Sequence, residues 1–250
     1  MEVALESNAF FMGIEYLAIF CCGLMGGLCA VRKNYDLFAM LITAWLTALG
    51  GGIIRDVMLG AFPPVGISDK GFVITALVSG LAVAVIHPEV DKLKWPMLTI
   101  DALALALFAV NGTSKAMIYG MSGMTSVFMG MFTALGGGLV RDMLLNDVPM
   151  VIRDKHWYAV PSAVGCVLTV FVCKGVQHGW LDLTSEITLD IVITILVVAM
   201  RLLSVKFNIM LPGAMERHEV YLPGQTRYLK RPVIHPDAKD PHGGSPSDED

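Results

Sequence analysis

Charge is what this chain has least of. Only 16% of its 250 residues are charged, against 55% hydrophobic, and the mean hydropathy is +0.64. A soluble domain carries roughly 25% charged residues, so a water-facing surface is excluded for most of the chain. Aromatics make up 8%, and no basic patch is interleaved with them, which removes nucleic acid from the expected partners. Five cysteines, Cys21, Cys22, Cys29, Cys166 and Cys173, sit in apolar runs without a Cys-x-x-Cys or Cys/His spacing. They are expected to be inert or structural, and neither a resident metal nor a cofactor is implied. A basic stretch before the first apolar run is also missing. Glu2 and Glu6 stand there instead, so that run is expected to be a retained span rather than a cleaved leader.

What the chain does have is long apolar windows, at 10–31, 37–59, 72–87, 97–117, 124–145, 157–174 and 186–205. Each approaches the length needed to cross about 30 Å of hydrocarbon. None alternates like a barrel strand, so the windows predict seven helices, whose backbones satisfy their own hydrogen bonds. Arg32, Lys33, Lys92, Lys94, Arg153, Lys155 and Lys206 fall on one side of that layout, and only Lys70 and Lys174 on the other. The positive-inside rule then puts the amino terminus outside and the carboxyl terminus in the cytoplasm of a plasma (inner) membrane. Beyond about Leu211 the composition turns proline-rich and then acidic, which predicts a flexible cytoplasmic tail over 211–250.

The apolar stretch also carries a repeat. Thr-Ala-Leu-Gly-Gly-Gly occurs at Thr47–Gly52 and again at Thr133–Gly138, 86 residues later, each followed by an Arg-Asp pair, Arg55-Asp56 and Arg141-Asp142. The same shift lays Glu15 on Asp101, Gly26 on Gly112, Leu59 on Leu145 and Pro63 on Pro149. With a slip of one residue, Asp69-Lys70 lies on Asp154-Lys155. Each copy holds three spans. Because three is odd, the second copy must enter the membrane upside down, the inverted-repeat plan of transport proteins. The expected layout is an extracytoplasmic segment 1–9, a first repeat 10–91, an inverted second repeat 92–177, a seventh helix over 178–210, and the tail.

Glycine weakens a helix, and ions in hydrocarbon must be paired or wetted. The triplets Gly50, Gly51, Gly52 and Gly136, Gly137, Gly138 are therefore expected to kink or unwind their helices, freeing carbonyls toward a wet path, as well as to let helices pack closely. From their places near the span ends, Glu15 is expected to pair with Arg55 and Asp101 with Arg141. Asp56 and Asp142, about 100° further round the helix, should point away to cap, pair elsewhere or line a vestibule. Lys115, in the fourth span, either snorkels to the interface or acts as a cation beside the pore. Two motifs are set aside. Gly120-Met-Ser122-Gly looks like a serine-protease motif but has no histidine on a neighbouring span. Asn111-Gly-Thr113 fits a glycosylation sequon inside a span.

The duplicated Gly-Gly-Gly-x-x-Arg-Asp-x-x-Leu followed by proline, with seven spans arranged three, three and one, resembles the trimeric intracellular cation (TRIC) channel family, in its prokaryotic branch, some of whose members carry the name glycine-transporter domain. The resemblance covers about residues 10–205. It implies a homotrimer in membrane lipid, one pore per subunit lined by the two glycine-rich helices, and K+ as permeant ion with Na+ also passing. It also implies no enzymatic activity. Lys115 resembles a fourth-helix basic residue tied to gating in the family. The basic lipid-binding loop of animal members has no match, since Gly60–Gly71 holds only Lys70. Two other readings stay open: a secondary transporter for glycine or another small amino acid, and a membrane scaffold or sensor that works through the tail.

Overall fold

The computed structural model describes residues 9–86 and 94–210; the segments 1–8, 87–93 and 211–250, and with them the tail and the boundary between the repeats, lie outside the described residues. Among the described residues all regular structure is helical: α1 (Ala9–Arg32), α2 (Leu37–Leu59), a one-turn α3 (Val65–Ser68), α4 (Lys70–Ile86), α5 (Lys94–Ile118), α6 (Gly123–Leu144), a one-turn α7 (Met150–Arg153), α8 (Ala159–Gln177) and α9 (Leu183–Lys206). Six are long and apolar enough to cross a membrane alone, and α4 is a shorter apolar helix of 17 residues.

Burial runs opposite to that of a soluble protein. Arg55, Arg141 and Arg201 are among the largest side chains fully enclosed, while Phe38, Val85, Phe171 and Ile195 are each more than 60% exposed. Apolar groups outside and ions inside is the arrangement hydrocarbon solvent selects.

The repeat extends to the chemistry of the turns. Asn34 and Gly120, 86 apart, both take a left-handed conformation, with φ of 56° and 75°. Asp36 and Ser122, again 86 apart, both cap the following helix by accepting a backbone N–H three residues on, from Ala39 and Thr125. Gly60 and Asn146 end α2 and α6 with φ of 73° and 53°. Between those ends and the one-turn helices the second copy is one residue shorter. Pro64, and not Pro63, therefore matches Pro149 as the residue preceding α3 and α7.

Neighbour relations repeat as well. α1 packs on α2 and α4, α2 on α4, and their counterparts α5, α6 and α8 do the same, while α2 meets α6 and α1 meets α5 across the centre. α9, which has no counterpart, packs on α5 and α8 through Ala106, Val110, Val172, Ile193 and Val197.

The glycine triplets mark the crossing of α2 and α6. A side-chain carbon on Gly51 would run into the carbonyl of Thr133, and one on Gly137 into the carbonyl of Thr47, so the contact is reciprocal and backbone to backbone. On the C-terminal flank there is room, since Gly52 and Gly138 have nothing closer than 3.9 Å and 3.5 Å, whereas a carbon on Gly136 would come to 3.1 Å from the Gly51 backbone. Both helices run through their triplets without an unwound turn. The expectation of released carbonyls is thereby corrected. The energy that three glycines cost each helix is offset by contact between two backbones, a contact that no side chain permits.

Candidate functional site

Two clusters of buried ions lie at opposite ends of the α2–α6 crossing. In the first, Arg55 on α2 lies 3.6 Å from Glu15 of α1 and donates from Nε to Asp56 Oδ1 at 2.9 Å. In the second, Arg141 on α6 lies 3.5 Å from Asp101 of α5 and donates from Nε to Asp142 Oδ1 at 2.8 Å. Both cross-helix pairs join residues that the repeat had matched.

Asp56 and Asp142 do not turn away from their arginines. A guanidinium on a long side chain reaches round the helix to its neighbour, and the second carboxylate oxygen is used elsewhere. Asp56 Oδ2 accepts the backbone N–H of Val65 at 3.0 Å, and Asp142 Oδ2 that of Met150 at 2.6 Å. Each aspartate thus anchors the one-turn helix that follows its span, an anion at a helix start.

Beyond this the clusters diverge. Lys115 of α5 brings its ammonium to 3.3 Å from Asp56 Oδ1, and Asp56 is fully buried. The Arg141 cluster instead opens on a cavity of about 590 Å3, lined by Cys29, Asp101, Arg141, Asp142, Asp154 and Arg201 among others.

α9 contributes to that cavity. Arg201, 1% exposed, donates to Asp154 Oδ2 at 2.7 Å and to the Trp157 carbonyl at 3.2 Å. His156 spans Asp154 Oδ1 (2.7 Å) and Asn208 Oδ1 (3.0 Å), and Ser204 accepts the Trp157 N–H at 2.9 Å. Burial by itself would push the Asp154 carboxyl up. The bonds from Arg201 and from the His156 backbone and ring outweigh it and hold the group below the usual carboxylate range. Glu186 and Asp190, one turn apart on α9, are buried as well, at 3% and 2% exposed. Sequence reasoning missed Arg201, Glu186 and Asp190, although a signal was present: three ionisable residues inside one apolar span.

Ser122 is explained by its cap on α6, and Asn111 lies within α5. The cysteines are free thiols, four buried and Cys29 half-buried.

A family model described as glycine transporter matches residues 12–88 and, a second time, 98–174. The chain belongs to the glycine transporter family. One relative is the UPF0126 membrane protein of Vibrio cholerae serotype O1, 30% identical over 213 residues, which are 84% of this chain and 85% of the relative. Another is the UPF0126 inner membrane protein YadS of Escherichia coli (strain K12), 29% identical over 210 residues, 81% of this chain and 94% of that protein. Among solved structures, one reported as the structural basis for conductance through TRIC cation channels is 30% identical, covers 80% of this chain and 95% of its own, and superposes with a TM-score of 0.69. This glycine transporter family member is accordingly a multi-pass membrane protein with an internal repeat and the TRIC fold. Its two family matches fall one on α1–α4 and one on α5–α8.

Proposed function

We propose that this protein is a passive channel for monovalent cations, K+ with Na+ also passing, with one pore in each subunit of a homotrimer. The observation that carries the reading is the pair of carboxylate-rich mouths, Glu15–Arg55–Asp56 and Asp101–Arg141–Asp142, set at the two ends of one helix crossing. In each, two carboxylates face one guanidinium, and at the first Lys115 completes the balance, so a cation can take the carboxylates there only when the lysine ammonium moves aside. The 30% identity to a TRIC cation channel over 80% of the chain supports the same reading.

Small residues line the centre of the path. Gly50, Gly51, Gly52, Gly136, Gly137 and Gly138 let α2 and α6 approach, and the hydroxyls of Thr47 and Thr133 bond to their own helices through Thr43 and Met129. Lys115, seated on Asp56, is the gating cation: its ammonium must leave that carboxylate for an ion to pass the first mouth. The protein sits in a plasma (inner) membrane with the Arg55 mouth outside and the Arg141 mouth, whose cavity Arg32, Lys33 and Arg153 line, in the cytoplasm.

Flux into liposomes holding the purified protein tests this. Fast K+-driven voltage change that does not saturate and ignores glycine is the expected result. Saturable uptake of labelled glycine without K+ leak would instead make the protein a carrier for glycine or another small amino acid, with the paired acid and guanidinium groups as its zwitterion site.

A further inference from the structure

A gate that opens by moving the Lys115 ammonium off Asp56 has to put that ammonium somewhere. Lys115 is 8% exposed, and a charge stranded in so dry a place is costly. Asp56 is provided for without it, since Arg55 Nε stays on Oδ1 and the Val65 N–H stays on Oδ2. The lysine is therefore the party that needs a second seat.

One lies a single turn along its own helix. While the ammonium is 3.3 Å from Asp56 Oδ1, it is already 5.9 Å from the ring centre of Tyr119, at the rim of the range over which a cation feels the face of an aromatic ring. Residues four apart share one face of a helix, so rotation about the lysine's own bonds carries the charge from one to the other and no helix has to move. The ring is held in place by the end of α5. The Tyr119 N–H bonds to the Lys115 carbonyl at 3.0 Å, and left-handed Gly120 closes the turn, with its own N–H on the Met117 carbonyl and that of Met121 on Ala116, both at 3.1 Å. This is also the carbonyl end of the helix, where the backbone favours a cation, and Tyr119 is far more exposed than Lys115.

The repeat supplies an internal comparison. The shift of 86 residues that lays Asp56 on Asp142 lays Lys115 on Cys29 and Tyr119 on Lys33. The structure keeps that register on the helices concerned, since Gly26 of α1 abuts Thr47 of α2 as Gly112 of α5 abuts Thr133 of α6. At the second cluster, then, the ammonium and the ring are missing together. The residue in the place of the ring is itself a cation, 2.7 Å from Asp147.

We propose that Tyr119 is the positioning residue of the gate: its ring takes the Lys115 ammonium when that ammonium leaves Asp56. This deepens the channel reading and rests on it. A ring face holds a cation more weakly than a carboxylate does, so contact with Asp56 is the resting arrangement and the ring the seat of the open one. The Asp56 oxygen that the ammonium vacates is then the one a passing K+ uses.

The test places phenylalanine, or its mono-, di- or trifluorinated forms, at Tyr119 of the full chain and reads K+ flux into liposomes. Fluorine drains negative charge from the ring face and barely alters its size, which separates a cation seat from packing. Tyr119→Leu should lower flux about threefold to tenfold, Tyr119→Phe should rescue it, and flux should fall again in step with the number of fluorines. In a Lys115→Met background the gradient should vanish; if that variant does not fold, Lys115→Gln takes its place, and if neither folds the gradient with Lys115 present decides alone. Equal thermal unfolding in detergent across the fluorinated series shows that the fold is common to all. A flat series with Lys115 present overturns the seat, and so does an equal gradient without the lysine. Wild-type flux with a flat series sinks the seat and leaves the channel, whereas a wild-type protein that passes no K+ sinks the channel and the seat with it.

Discussion

The Arg55 and Arg141 clusters use the same three residue roles at opposite ends of one helix crossing, and differ in what completes them. At Arg55 the fourth member is a lysine, and the aspartate is sealed. At Arg141 it is a half-buried thiol beside an open cavity, and α9 supplies Arg201 to the rim. A duplicated scaffold thus provides two equal frames. Single-residue divergence, Lys115 against Cys29, gives one frame a second cation in contact with its aspartate and the other a thiol.

The comparison breaks most sharply at the aspartates. Asp56→Asn strips a carboxylate from two cations in a dry site and should cost about 3–5 kcal/mol. Asp142→Asn, with one cation and a wet neighbour, should cost about 1–3 kcal/mol. Chemical unfolding in detergent measures both, and equal losses would mean that Lys115 does not distinguish the mouths.

Within each triplet the central glycine should matter more than its neighbour. Gly51→Ala and Gly137→Ala push a methyl into the backbone of the facing helix and should destabilise by about 1–3 kcal/mol. Gly52→Ala meets only the Arg55 guanidinium, at 3.9 Å, and should hold or gain up to about 1 kcal/mol through helix propensity. If Gly52→Ala were as damaging as Gly51→Ala, an altered path for the helix, and not the crossing, would explain the triplet.

A smaller effect sharpens the pairing of Glu15 with Arg55. Arg55→Gln alone should lower folded yield, and adding Glu15→Gln should recover part of it, with a coupling of about 0.5–2 kcal/mol. A double variant no better than the single one would show that the 3.6 Å contact carries no energy.

Smallest is the pH response of the Arg201 rim. Because the Asp154 carboxyl is held low in the folded protein, its contribution is complete above the ordinary aspartate range, near pH 4, and is lost as pH falls through the lowered value. Asp154→Asn should therefore flatten acid destabilisation only below about pH 4. A difference from wild type that changed only above about pH 5 would show that Asp154 does not carry the response.

The spans, the inverted repeat and both cross-helix ion pairs were legible in the sequence, because hydrophobic length and a fixed shift of 86 residues are linear properties. The roles of Asp56 and Asp142 as anchors of α3 and α7 were not. They depend on the chain folding back over its own helix end, and nothing in a composition window registers a one-turn helix such as Val65–Ser68. Nor was the α9 contribution. Repeat logic is silent about a helix without a counterpart, so Arg201, which meets Asp154 from 47 positions away, had no mirror residue to reveal it. The triplets were legible as a feature but not in their mechanism. Glycine serves equally to break a helix and to bring two together, and only the position of Thr133 against Gly51 decides between them.

Arg201 also sets an order of events in time. A ribosome releases the chain from its amino end, and folding follows that order. Every member of the Arg55 cluster has been made once residue 115 emerges, while the Arg141 mouth waits for residue 201 to bind Asp154 and for Asn208 to reach His156. A nascent chain arrested between those two points would carry one finished cluster and one unfinished. The lysine end of the molecule can therefore form its ion cluster before the other end is complete.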